Sequence, residues 1–241
     1  MNIAIISGAS RGIGLEFAKL LDGYAFDELW LICGKNTPLF KFKTPVRIFN
    51  LDLSEKSPYK DVKIALSNEN PTIKYLVCSA GVGYNGNVEE LSEENIENTI
   101  IINCSALSLL TKISIPYMSY GSKIIEIASG AGFLPQPSFS VYSASKAYVI
   151  NFARALGREL SKKKITVTAV CPGPVDTDFF SNLENVKEYK KRHLISAYKV
   201  ASGALKASKK GKRVYSPTLS IKLVHLASKI LPINLILKFY K

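Results

Sequence analysis

The chain has 241 residues, 47% of them hydrophobic and 21% charged, a balance that suits one globular domain with a sizeable core and excludes a disordered or collagen-like chain. Its formal net charge of +13 is concentrated at one end: basic and acidic residues balance at 18 each through Glu184, and in the last 57 residues 14 basic residues face the single acid Glu188. A basic end of this kind suits an anionic cofactor, an acidic protein, a membrane surface or simply a solvated lysine-rich face, and with no nucleic-acid module in view no nucleic-acid partner is expected.

Short apolar runs alternate with helical patterns. The runs at 3–6, 29–33, 46–50, 75–78, 123–128 and 165–170 are nearly continuous in Ile, Val, Leu and Cys, as strands covered on both faces are. Helices are expected near 12–22, 55–68, 93–117 and 141–162, and a last short strand at 213–217. Strand and helix in alternation predict an α/β fold, a Rossmann-like doubly wound parallel sheet with helices on both faces in one domain over 1–241. Cys33, Cys78, Cys104 and Cys171 lie in or beside apolar runs without metal-type spacing, so buried free thiols in a reducing compartment are expected. No metal is expected. The strand begins almost at Met1 with no charged leader, and the cytoplasm is the expected location.

Directly after the first strand stands "SGASRGIG", residues 7–14, followed by "LEFAKLL" with helical spacing. A glycine-rich bend from strand to helix lets backbone approach a pyrophosphate, whose charge is favoured by the free N–H groups at the helix start. The residues concerned are Gly8, Ser10, Arg11, Gly12, Ile13 and Gly14. Three residues separate the first two glycines, and in this the turn resembles that of the classical short-chain dehydrogenase/reductase family; the resemblance extends over nearly the whole chain.

The second strand ends "LICGKN". In a dinucleotide fold an acid here would bond the adenosine 2'-hydroxyl, whereas a basic residue accommodates a 2'-phosphate. Gly34 and Lys35 fill the position, with Arg11 able to assist, so NADP is expected over NAD. The resemblance also implies that Asp52 and Leu53, after the third strand, contact adenine. Ala80 and Gly81 match the family's Asn-Asn-Ala-Gly motif at the end of the fourth strand, while Cys78 and Ser79 replace its asparagines and leave the local sheet bracing in question.

In "VYSASKAYV", residues 141–149, Tyr142 and Lys146 share one helix face at i and i+4. A neighbouring cation favours a phenolate and would lower the tyrosine pKa, fitting Tyr142 as a general acid toward a carbonyl oxygen. Ser129, thirteen residues earlier at the end of the fifth strand, is placed to polarise that carbonyl. Serine, tyrosine and lysine at this spacing are the catalytic centre of the family that the chain resembles. The same resemblance implies that Asn103 anchors a relay water toward Lys146, that Pro172 and Gly173 shape a turn below the nicotinamide, that the Val175 backbone meets its carboxamide, and that the Thr177 hydroxyl bonds the cofactor. Ser143, Ala144 and Ser145 read as clearance for the ribose, and Tyr148 as a core or interface residue.

The expected activity is hydride transfer between a nicotinamide and a ketone or aldehyde. A regulator that binds the cofactor without turnover is the alternative, and a 3-oxoacyl carrier-protein reductase is one substrate possibility. Residues 178–200 correspond to the family's variable substrate lid; Phe179, Phe180, Leu183 and Tyr189 suit an apolar or lipid-like carbonyl, and Lys187, Lys190, Lys191 and Arg192 suit an acidic carrier. The family also implies a homodimer or homotetramer through 100–117 and 141–162. The basic apolar segment 217–241 is expected to pack on the domain or a second subunit, or to lie peripherally on an anionic membrane.

Overall fold

The computed structural model describes residues 1–34, 36–181 and 194–238. Strands β1 (Asn2–Ser7), β2 (Glu28–Cys33), β3 (Val46–Asn50), β4 (Thr72–Cys78), β5 (Met118–Ile127) and β6 (Thr166–Val170) are joined by a distant short strand, Val214–Tyr215, in one seven-stranded parallel sheet of order β3-β2-β1-β4-β5-β6 followed by that last strand. Side chains alternate between its faces. Ile3, Ile5, Trp30 and Ile32 enter one core, whereas Ala4, Ile6, Leu29 and Leu31 enter the other. Each such fully buried Leu or Ile is worth roughly 1.5–3 kcal/mol.

Helices α1 (Gly12–Leu21) and, late in the chain, Ala197–Lys209 cover the second face through Phe17, Leu21, Val200 and Leu205. The first face is covered by α2 (Lys60–Glu69), by the long helical run after α3 (Glu93–Ile100), and by α5 (Ser140–Glu159). The chain reverses its direction of strand addition between β1 and β4, and an α/β sheet opens its ligand crevice at such a switch point.

The run expected as one helix over 93–117 is composite. After α3 the backbone widens into a π-helical segment, Ile101–Ala106, then narrows into α4 (Leu107–Ser114) and a 3₁₀ turn, Ile115–Tyr117, which holds Pro116. Glu93–Tyr117 is long and apolar enough to cross a membrane, but Leu107, Leu110, Thr111 and Ser114 are buried against the sheet. The other departures are at boundaries: α2 starts at Lys60 rather than 55, and α5 gives way at Leu160 to a 3₁₀ turn. All four cysteines are free and buried.

One core residue carries a charge problem. Glu126 on β5 is fully buried in the apolar run that reads as a strand, and neither carboxyl oxygen makes a hydrogen bond of normal geometry among the described residues. Burial pushes its pKa from 4.5 up to about 8, with only the Thr111 hydroxyl favouring the anion. A carboxyl whose pKa is raised by folding binds its proton in the folded chain after the unfolded chain has lost it. Stability therefore falls as pH rises from about 4.5 to about 8, by up to ~1.4 kcal/mol per unit. Urea denaturation between pH 5 and 8 should show this slope in the native chain and a flatter one in Glu126→Gln; equal slopes would contradict a buried neutral acid.

Candidate active site

The glycine turn between β1 and α1 is close-packed. A Cβ on Gly14 would fall 2.1 Å from the Gly8 carbonyl oxygen, and one on Gly8 would meet Ala80 N at 2.7 Å, so neither position admits a side chain. Gly8 and Gly12 also hold φ of +67° and +57°, and Gly12 faces the Thr177 methyl. The first turn of α1 has neither a side-chain cap nor an acid, which leaves its N–H groups for an anion. Ser10 is half-buried in the turn and Ile13 packs into the second core. Arg11 is exposed and pairs with Asp178 at 3.5 Å, tying the turn to α6 (Asp178–Ser181).

Across the crevice, the end of β4 is braced by a residue that sequence reading passed over. Ser7 Oγ accepts hydrogen bonds from the backbone N–H groups of Ser79 (3.1 Å) and Ala80 (3.3 Å). A serine on the neighbouring strand thus does the bracing for which Cys78 and Ser79 lack amide side chains. Beyond it, Asn103 is fully buried in the π-helical segment. Its Oδ1 accepts from Val82 N (2.9 Å), while Nδ2 donates to Val82 O (2.8 Å) and Ser145 Oγ (3.0 Å). Ser145 in turn donates to the Tyr142 carbonyl at 2.7 Å. It is therefore a polar link between α5 and Asn103, where clearance alone was expected.

Ser129, Tyr142, Lys146 and Asn103 converge. A Cβ placed on Gly81 would lie 3.1 Å from Asn103 Oδ1 and 3.2 Å from Lys146 Nζ, so these two polar atoms flank one glycine. Lys146 is buried, donates to the Ile127 carbonyl at 3.0 Å, and places its ammonium 5.6 Å from the Tyr142 ring centroid. Ser129 stands two residues beyond Ile127, its Oγ accepting from Ala131 N at 3.1 Å.

The electrostatics differ from the expected depression of the tyrosine pKa. Burial pushes Tyr142 up to about 12, with a hydrogen bond from the Ser129 hydroxyl pulling the other way. Desolvation also brings Lys146 down to about 8, partly offset by the nearby thiols of Cys104 and Cys171. Loss of water dominates both groups, because a side-on contact to the ring face gives the phenol oxygen less help than a direct contact would.

Three groups shape the Tyr142 environment, two of which sequence reading missed. Phe139 stacks on the Tyr142 ring at 4.3 Å, Phe179 lies tilted at 5.6 Å, and Gly83 closes the edge, where a Cβ would meet Tyr142 Cδ2 at 2.6 Å. Phe179 was expected in the lid; Phe139 and Gly83 carry no local signal beyond their residue types. Tyr148 is 44% exposed, with its hydroxyl 2.9 Å from Ser108 Oγ and its ring stacked on Phe152, so it belongs to an outer helix face and not to the core.

The remaining expected residues line the crevice or its edge. Asp52 accepts from the N–H (2.9 Å) and hydroxyl (2.6 Å) of Ser54, forming the turn after β3, and Leu53 packs on the first core. The Pro172 carbonyl accepts from Gly130 N at 2.8 Å, joining the Pro172-Gly173 turn to the segment after Ser129. Val175 is buried in a two-residue strand, β7 (Val175–Asp176), paired with β8 (Ile195–Ser196), and Thr177 faces Gly12. Lys35, Leu183, Lys187, Tyr189, Lys190, Lys191 and Arg192 lie outside the described residues, as does most of the expected lid.

A cradle in which Cβ atoms are barred at Gly8 and Gly14 and crowded at Gly81, with an uncapped helix start at one end and a buried lysine at the other, fits an elongated anionic dinucleotide. Fold and site together define a dinucleotide-dependent α/β oxidoreductase. A model of the short chain dehydrogenase family matches residues 2–188, and the chain belongs to that family. It is 30% identical over 198 residues to the 3-oxoacyl-(acyl-carrier-protein) reductase of Buchnera aphidicola subsp. Schizaphis graminum, covering 78% of this chain and 79% of that protein. It is 32% identical over 190 residues to the very-long-chain 3-oxoacyl-CoA reductase of Anas platyrhynchos, covering 72% of this chain and 60% of the relative. Its fold superposes on a short-chain dehydrogenase from Sphingobium yanoikuyae in complex with NADPH with a TM-score of 0.81 at 23% identity, covering 100% of this chain and 96% of that one.

Replacing Asn103 by Ala would leave the Val82 N–H and carbonyl without their side-chain partner. The expected loss is ~1–3 kcal/mol of unfolding free energy, measured by urea denaturation; an unchanged midpoint and slope would show that Asn103 does not hold this loop.

Proposed function

We propose that the protein is an NADP-dependent reductase that interconverts a carbonyl and an alcohol. The observation that carries this reading is the meeting of Asn103 Oδ1 and Lys146 Nζ at Gly81, with the Tyr142 ring beside the Lys146 ammonium and the Ser129 hydroxyl bonded to the Tyr142 phenol. The nicotinamide, when bound, exchanges hydride with the substrate carbon. Tyr142 supplies or takes the proton at the oxygen, Ser129 holds that oxygen by its hydroxyl, and Lys146 stabilises negative charge and meets ribose hydroxyls. Asn103 fixes the loop at Val82 and orders the polar atoms that lead to Lys146. Preference for the 2'-phosphorylated cofactor is supported by Gly34, instead of an acid, after β2, by Arg11 in the turn, and by the NADPH-bound relative of like fold.

The apolar rings of Phe139 and Phe179 beside Tyr142 suit a substrate with hydrocarbon next to its carbonyl. Both relatives named above are 3-oxoacyl reductases, which makes 3-oxoacyl compounds the first class to assay. Four buried free thiols support a reducing, cytoplasmic setting. Association into a homodimer or homotetramer through α4 and α5 belongs to the same reading, with Tyr148 and Phe152 on the shared outer face.

The test is oxidation of NADPH and of NADH against free ketones, aldehydes and 3-oxoacyl thioesters. Tyr142→Phe should lower kcat by ~10²–10⁴-fold while cofactor binding stays within a few-fold. Cofactor binding with no turnover on any substrate, in native chain and variant alike, would favour a binding regulator instead. The pH profile gives an independent check. Lys146, depressed to about 8, loses its charge before Tyr142, raised to about 12, loses its proton. The kcat/KM for reduction should therefore decline as pH passes about 8; a flat profile to pH ~10 would contradict a role for the lysine cation.

A further inference from the structure

After helix α7 (Ala197–Lys209) and the last strand, β9 (Val214–Tyr215), the chain forms helix α8 (Leu219–Ile230). Its inner side is committed to the fold beside the active site. Ile221 lies over Gly130 and Gly173, where Cβ atoms would meet its side chain at 2.8 and 3.3 Å. The His225 ring stacks on Phe133 at 4.1 Å, and His225 Nε2 is 3.1 Å from Arg154 Nη2. Gly130 and Phe133 bound the turn that immediately follows Ser129.

The outer side of α8 is not committed. Leu219, Leu223, Leu226 and Ile230 recur at steps of four, three and four residues, which at 100° per residue forms one stripe, and they are 70%, 58%, 55% and 69% exposed. Beyond Pro232, Ile233 and Leu235 of the short helix Ile233–Leu237 are each 44% exposed. A run of large apolar residues spaced this regularly on one helix face is an interaction surface rather than scattered surface leucine.

Charge decides what it meets. Lys222 and Lys229, both exposed and seven residues apart, follow one edge of the stripe, and residues 189–241 contain no Asp or Glu. Two copies joined face to face through this stripe would bring their lysine edges together without an acid of the same segment to pair them. An apolar stripe edged by lysines complements instead a hydrocarbon layer beneath anionic headgroups.

We propose that the outer face of α8 docks the protein peripherally on anionic lipid bilayers, with Leu219, Leu223, Leu226 and Ile230 entering the interface and Lys222 and Lys229 meeting the headgroups. Because the inner face of the same helix lies on the turn after Ser129, docking sets the membrane about one helix diameter, ~10 Å, from the wall of the active site. The proposal does not depend on which carbonyl is reduced.

The test is cosedimentation of the full chain with phosphatidylcholine vesicles that carry about one third phosphatidylglycerol, and with phosphatidylcholine vesicles alone. The native chain should bind the anionic vesicles in a salt-sensitive manner and the neutral ones at least tenfold more weakly. Each of Lys222→Gln and Lys229→Gln should weaken binding about fivefold. Leu223→Gln combined with Leu226→Gln should abolish it while the melting temperature and turnover of a water-soluble carbonyl stay at native values, since both side chains face outward. Equal binding by the leucine variant and the native chain, or no binding to anionic vesicles at low salt, would overturn the proposal. So would a leucine variant that sediments as a smaller oligomer than a native chain that ignores vesicles, which would assign the stripe to a second copy or an acidic protein.

Discussion

The candidate active site depends on one costly arrangement, the burial of the Lys146 ammonium with the Ile127 backbone carbonyl as its one hydrogen-bond partner among the described residues. Water would solvate this cation better than one carbonyl does, and the depressed pKa of about 8 measures that deficit. The surroundings are built to tolerate it. The thiols of Cys104 and Cys171 contribute favourable potential, the Tyr142 ring presents its face, and Gly81 leaves open the space that a side chain would fill between Lys146 and Asn103. A poised cation next to a protonated phenol is the state from which a proton can be delivered to an oxygen and the resulting charge stabilised.

The sheet makes that arrangement possible at a distance from the lysine itself. Parallel strands end together on one edge, and the turns after β1, β4 and β5 and the segment after β6 bring Gly8, Gly81, Ser129 and Pro172 to the same crevice. Backbone closeness does the positioning: Gly14 against Gly8, Gly8 against Ala80, and the Pro172 carbonyl against Gly130 N. Ser7 stitches β1 to the end of β4 with its hydroxyl, and the π-helical segment swings Asn103 inward to hold Val82. Glu126, by contrast, is a buried carboxyl close in sequence to Ser129 for which no hydrogen-bond partner of normal geometry is present among the described residues.

What was legible in sequence is what repeats locally. Strand faces, the glycine turn and the i, i+4 relation of Tyr142 to Lys146 are short-range patterns, and each was placed within a few residues. What was not legible depends on contacts between distant segments. The Ser7 bridge spans 73 residues to Ala80, the Asn103–Ser145 bond spans 42, and the packing of Phe139 and Phe179 against Tyr142 needs two separate segments to meet. Apolar periodicity also cannot distinguish an α-helix from one carrying a π-helical insert, so the break at Ile101–Ala106 was hidden. The expected lowering of the tyrosine pKa failed for a related reason: helical spacing shows that a cation is near, but not how much water both groups have lost.

Direct titration of Lys146 is the most telling measurement. With ¹³C-labelled lysine, the Cε resonance of Lys146, identified by its loss in Lys146→Met, should titrate near pH 8, well below the ordinary lysine value of about 10.5. A Lys146 resonance that titrates near about 10.5 would mean that its ammonium is solvated, and the buried cation at the centre of the candidate site would not exist.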